Sequence, residues 1–214
     1  MPTTPSRDRT EMIDEIRRYA QERLPPEQLR LFETFVGQYY RHVSRDDLAA
    51  RHVHDLYGAA MSHLTLAQDR PPGEPRVRVY SPDFEEDGFG SPHTVVDIVS
   101  DDVPFIVDSV TTEVIRHGLG LHLTVRPVIP VRRDEERLVD ILDRHDPASG
   151  TEAESFVHLE VDRQTDPAVL DELGQDLLRI IGDVEAAVED WPAMREQALA
   201  VADGVDTELS LIHI

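Results

Sequence analysis

The run Ser100–Phe105, SDDVPF, sets two carboxylates and a proline at a strand-to-helix turn, and that combination can hold a zwitterion. Backbone N–H groups at the start of a helix receive a carboxylate, helped by the helix dipole. Asp101 and Asp102 would receive an ammonium group. Asp101, Asp102, Val103, Pro104 and Phe105 are therefore the candidate effector turn, with an amino acid as the matching ligand. The plainer alternative is that Asp102 caps the helix while Asp101 faces water.

Other polar groupings carry less. Arg51–Asp55, RHVHD, offers His52 and His54 beside Asp55, with His63 as a third donor. A metal needs three or four ligands converging from more than one element, so these read as surface histidines and no metal is expected. His117–His122, HGLGLH, has a glycine pair, but it leaves a helix to enter a strand. Phosphate-cradling turns run the other way, so a helix cap is expected. His122, Arg126 and His158 fall on polar positions of two strands and predict a shared contact face for another domain or subunit. No nucleophile–base–orienter set is recognisable, and no catalytic residue is assigned.

The elements that must position these groups follow from periodicity. Met12, Ile13, Ile16 and Ala20 recur at helical spacing. Pro25–Pro26 opens a second helix through Phe32, Phe35 and Tyr39. Ser44 caps a third segment that pauses near Val53 and resumes through Leu64. Arg76–Tyr80 and Thr94–Ser100 read as strands. Between Asp102 and Gly118 lies a helix with Pro104 in its first turn and Val103, Val107, Val110 and Val114 on one face. From Leu119 the period becomes two, giving a long strand that Pro127 and Pro130 push toward a sheet edge. Leu138–Leu142 returns, DRHDPASGTEAE is a loop, and Ser155–Val161 is a further strand. Asp166 and Pro167 open a helix whose stripe runs from Leu170 to Trp191. The expected fold is α+β: an N-terminal helical segment, then a ferredoxin-like antiparallel sheet with helices packed on one face. The other face of the sheet is polar and left for something else to cover.

Composition limits the chemistry. With 43 Asp+Glu against 21 Lys+Arg the net charge is −22, which repels phosphate backbones and anionic lipid and argues against nucleic acid and membrane as partners. All the basic residues are arginines, and cysteine is absent. Schiff-base chemistry, a phosphate-binding lysine and thiolate chemistry are excluded within this chain. No apolar run approaches the roughly 20 residues that span a bilayer, and the first residues lack a secretory pattern. A cytoplasmic location is expected.

Asp102-x-Pro104 after a strand, Val110 and Val114 in the helix, and Gly118-Leu119 entering a strand together resemble the ACT-domain pattern. More closely, SPHTVVDIVSDDVPFIVDSV, RHGLGLHLTVRPVIPVRRD and ESFVHLEVDRQ are similar to the N-terminal ACT-like region of the large bacterial NAD-dependent glutamate dehydrogenases. The lead-in DLYGAAMSHLTLAQ and RVRVYSP belong to the same likeness, which covers most of Tyr39–Trp191. The resemblance implies a parent polypeptide that converts L-glutamate to 2-oxoglutarate and ammonia with NAD as cofactor. Its reacting lysines would lie far downstream, and the full-length protein would be a homo-oligomer. This portion would regulate or assemble the enzyme, bind no cofactor itself and be inactive alone. One departure favours assembly: Phe105 stands where the ACT turn places a glycine. The alternative is a stand-alone ACT-type amino-acid sensor serving another enzyme.

The chain divides into residues 1–75 (helical), 76–192 (ACT-like) and 193–208 (the start of a further segment). Residues 209–214, LSLIHI, look like the translated end of a sequencing-library adaptor, and the natural polypeptide is expected to continue beyond residue 208.

Overall fold

A computed structural model describes residues 8–143 and 151–212, with side chains described through residue 199. Of the expected loop Asp143–Glu154, residues 144–150 lie outside the described residues, as do the first seven residues and the last two, and Glu152–Glu154 are already strand. The N-terminal segment forms four helices: α1 (Arg9–Gln21), α2 (Pro26–Tyr39), α3 (Arg45–Ala49) and α4 (Val53–Leu66). Asp8 and Glu11 close a reciprocal capping box on α1, Pro26 fills the first turn of α2, and Ser44 accepts from the Asp47 amide at the start of α3. The pause anticipated near Val53 is a full break between α3 and α4.

Then follow β1 (Arg76–Tyr80), a one-turn α5 (Phe84–Asp87), β2 (Thr94–Asp101), α6 (Ile106–Arg116), β3 (Leu121–Val125), β4 (Val128–Asp134), β5 (Arg137–Ile141), β6 (Glu152–Val161) and α7 (Pro167–Ile212). The six strands make one antiparallel sheet in the order β1-β2-β6-β4-β5, with β3 also paired to β6. Strand β6 is the axis. It pairs from Glu154 to Val161 with β2, and on its other side with β4 (Ser155–Glu152) and β3 (Val161–His158). The expected long strand is thus two strands broken at Arg126–Pro127, where the Pro127 carbonyl accepts from the Phe156 amide.

Strand β4 is not at an edge, contrary to expectation, because β5 flanks it. Pro130 is tolerated because its carbonyl faces β5 and accepts from the Leu142 amide. Its missing N–H therefore falls where the β4–β5 ladder has ended, and no bond to β6 is lost.

Both faces of the sheet are buried. Helices α6 and α7 cover one, where Val96, Ile98, Val157, Leu159 and Val161 meet Val110, Val114, Leu173, Leu177 and Ile181. Across the other face, Val99, Ile129, Val131, Leu138 and Phe156 share a core with Ile16, Phe32, Phe35, Tyr39 and Leu64 of the helical segment. The face expected to be covered by another domain or subunit is covered by the chain's own first four helices.

Two turns shape the middle of the chain. Helix α6 ends in a Schellman cap: Gly118 adopts φ 75, Leu119 N–H bonds the Val114 carbonyl, and Gly118 N–H bonds that of Ile115. Its start lies at Ile106, not Asp102, because Phe105 takes the left-handed conformation (φ 73) and interrupts the helical path. Helix α7 begins as expected, with Asp166 accepting from the Ala168 amide. It continues through Pro192 to Ile212, and Trp191, Met194 and Leu199 are exposed on it.

Candidate functional site

At the SDDVPF turn the two carboxylates have unlike surroundings. Arg70, fully buried, donates through Nη2 to Asp101 Oδ1 at 2.6 Å and to Glu154 Oε1 at 2.8 Å. Arg133 holds both Glu154 oxygens, at 2.6 and 2.9 Å. Asp101 is therefore committed to a buried arginine–carboxylate cluster rather than held open for an ammonium group. Asp102 does not cap α6; its amide bonds the Ala153 carbonyl, tying the turn to β6. Val103 packs on the core beneath α6, Pro104 is exposed, and the Phe105 ring stands 68% exposed. A glycine-like backbone thus carries a bulky side chain pointing to solvent. That geometry offers a contact ring rather than an enclosed ligand turn.

His122, Arg126 and His158 do not share a face. Register places His158 opposite Val125 and Asp97, on the helical-segment side of the sheet, where it is 2% exposed. Arg126 is exposed just past the end of β3, lining one shallow surface with Val107, Thr111 and Thr124 and another with Gln38, Arg41 and His42. His122 stacks on His93 at 4.1 Å between centroids and bonds Asp162 at 2.7 Å. The expectation fails at His158, because both faces of β6 are buried and its polar residues mark a sealed interior; His122 and Arg126 are exposed. The histidines near α4 diverge as well: His52 is the N-cap of α4, His54 contacts Asp55 at 3.1 Å, and His63 is buried.

The most organised polar chemistry lies where α4 meets the sheet. Asp97, in the middle of β2, is fully buried; its Oδ1 accepts from His158 Nδ1 at 2.6 Å and its Oδ2 from the Tyr80 hydroxyl at 3.0 Å. With its proton given to Asp97, Tyr80 accepts from Ser62, which in turn accepts from Arg78 at 3.0 Å. His63 Nε2 must be the protonated nitrogen, since it faces the Ile98 carbonyl at 3.0 Å; Nδ1 then accepts from the Tyr39 hydroxyl at 2.9 Å. Burial lowers the pKa of His63 against the pull of Asp97, so this ring is neutral. Burial also opposes a charge on His158, but the Asp97 carboxylate and Glu160 overcome it and raise the pKa to about 9. Asp97 stays below the ordinary carboxylate range despite burial, because the charged His158 ring lies against it and His158 and the Tyr80 hydroxyl both donate to it.

Glu160 continues the chain outward. Arg51 from the α3–α4 connection grips both of its oxygens, with Nε at 3.0 Å from Oε1, and His93 approaches at 3.2 Å. Burial would raise its pKa, yet His158 and Arg51 hold it at about 2. These groups form the polar end of a cavity of about 310 Å³, whose apolar walls include Val43, Leu48, Leu56, Phe89, Val95 and Leu123. The arrangement has donors, acceptors and fixed charges but no activated nucleophile. It fastens the helical segment to the sheet through Arg51–Glu160, His63–Ile98 and Arg70–Glu154.

Sequence reasoning missed Asp97, Glu160, Arg51 and Arg70. The available signal was an aspartate inside the apolar run TVVDIVS, since a charge at such a position has to be paired.

The family described as the glutamate dehydrogenase ACT1 domain matches residues 35–177. The NAD-specific glutamate dehydrogenase of Halomonas elongata is 36% identical over 199 residues, covering 92% of this chain and 12% of that protein. That of Pseudomonas aeruginosa is 34% identical over 165 residues, covering 77% of this chain and 10% of that protein. The chain spans about an eighth or less of the curated relatives it matches.

Proposed function

Because the chain belongs to the glutamate dehydrogenase ACT1-domain family, we propose that it is the N-terminal regulatory and assembly portion of a cytoplasmic NAD-dependent glutamate dehydrogenase. The parent polypeptide converts L-glutamate, NAD and water to 2-oxoglutarate, ammonia and NADH, and this portion carries none of the reacting groups. The observation that carries the reading is a family match over residues 35–177 in a chain with no lysine. Amine chemistry for holding substrate and activating water must then come from elsewhere in the parent.

Assembly is favoured over effector binding at the SDDVPF turn, since Asp101 is already paired with Arg70 and the Phe105 ring faces outward. Its partners are other domains or subunits of the parent enzyme. The test is a pair of assays. The purified 214-residue chain should give no glutamate-dependent NADH. Deleting the matching segment from the full-length Halomonas elongata enzyme should change its oligomeric state in sedimentation. Turnover by the isolated chain, or an unaltered assembly after deletion, would refute the proposal.

A further inference from the structure

A second polar cluster, remote from the α4–sheet junction, joins the two helices on the other side of the sheet. Glu113 and His117 lie one turn apart at the end of α6, and Asp176 faces them from α7. His117 Nε2 is 3.0 Å from Asp176 Oδ2 and 3.5 Å from Glu113 Oε1. Donor atoms bound to an ion at about 2.1 Å lie about 3.0 Å apart at right angles and about 3.4 Å apart at tetrahedral angles. The two separations bracket that range.

An independent observation singles out the carboxylate. Glu113 is only 2% exposed, and its Oε1 accepts no hydrogen bond. Arg116 Nη2 comes within 3.1 Å of that oxygen, but outside hydrogen-bond geometry, and the Arg116 side chain is 65% exposed. A buried carboxylate oxygen without a donor is costly unless something positive completes it. The Asp97–His63–His158 cluster differs on this point, because each of its donor atoms already has a hydrogen-bond partner and His158 holds its proton up to about 9.

We propose that Glu113, His117 and Asp176 form a three-ligand site for a divalent transition-metal ion of the zinc class, with water completing the shell, which clamps α6 to α7. The ion replaces the proton that His117 Nε2 now shares with Asp176. His117 and Asp176 are half-buried, which leaves an entry route. Arg116 and Arg179, the latter 3.0 Å from Asp176 Oδ1 and 3.5 Å from Asp183, are surface side chains that can swing aside. One imidazole and two carboxylates suit zinc, cobalt or manganese better than a thiolate-seeking ion.

The test uses the metal-stripped 214-residue chain titrated with zinc chloride by calorimetry, and with cobalt(II) by visible absorption. One ion per chain is expected, with cobalt d–d bands of a four- or five-coordinate site and a melting temperature that rises with zinc concentration. His117→Ala and Asp176→Ala should each weaken zinc binding at least about tenfold, while His54→Ala leaves it unchanged. Circular dichroism identifies any variant that fails to fold; Asp176→Ala, on the outer side of the cluster, then carries the comparison. No saturable zinc binding, or binding that survives both substitutions in folded protein, overturns the site.

Discussion

Asp97 sits in the middle of an eight-residue strand whose neighbours are apolar and buried, and it can do so only because His158 and Tyr80 complete its carboxylate. Removing His158 leaves that charge buried and underpaired. His158→Gln is therefore expected to cost about 3–5 kcal/mol near pH 6. The pH dependence carries a sign. The pKa of His158 rises on folding from 6.5 to about 9, so its contribution is complete below pH 6.5 and fades as pH climbs through about 9. The gap in urea midpoint between wild type and His158→Gln should accordingly narrow from pH 6 to pH 9. A gap independent of pH would mean that the ring is neutral in the native state. Glu160, held at about 2, acts at the other end, supporting the fold above its ordinary value of 4.5 and withdrawing support as pH falls toward 2. At this scale the sequence was only partly legible. Asp97 was visible as a charge in an apolar strand, but Arg51 and Glu160 are 109 positions apart, and no local pattern joins them. Phe105 was legible as a departure from the ACT turn; that it adopts the glycine conformation, with the strain this implies for a bulky side chain, required the backbone.

Helices in this chain are set by packing as much as by propensity, and two glycines separate those influences. A Cβ on Gly58 in α4 would meet Phe89 Cβ at 2.4 Å, and Phe89 is buried. A Cβ on Gly37 in α2 would meet Arg17 Nη2, also at 2.4 Å, but that is the far end of a flexible, half-exposed side chain. Alanine gains roughly 1 kcal/mol of helix propensity over glycine at either site. At Gly58 overpacking of about 1–3 kcal/mol should outweigh it. At Gly37 the gain and the disturbed Arg17–Glu33 contacts should leave stability within about 1 kcal/mol of wild type. Urea midpoints of the two variants test this, and equal midpoints would show that Phe89 moves aside freely. Element types were readable because the periods of 3.6 and 2 are strong in α1, α2, β2 and β6, and Ser44 and Asp166 act as caps where their side chains predict. What misled were prolines read without register. Pro127 and Pro130 suggested an edge, whereas β4 is interior because Pro130 turns its missing donor toward the end of β5.

At the level of the whole molecule, the sheet is a shared wall between two cores, and neither face is spare. Alternation in β2 and β6 shows that one side of each strand is strongly apolar, but it says nothing about what covers the other. That is why the sequence divides the helical segment from the sheet at residue 75 without showing that the two share a core. The division at residues 75 and 76 cuts through a continuous core in which Phe35 packs edge-on against Phe156 with ring centroids 5.2 Å apart. Removing residues 1–75 would expose Val99, Ile129, Val131, Leu138 and Phe156, each buried in the intact chain. At about 1.5–3 kcal/mol per large apolar side chain, the loss is on the order of 10 kcal/mol, as large as the whole stability of a typical domain. It would also strip Arg51 and Arg70 from the buried charges of the sheet, leaving Glu160 without its arginine and Glu154 with Arg133 alone. A fragment of residues 76–192 is therefore expected to lack a cooperative unfolding transition and to bind a hydrophobic dye or aggregate, while the full chain unfolds cooperatively in urea. If the fragment instead unfolded as sharply as the full chain, the helical segment would be an accessory docked on a self-sufficient sheet.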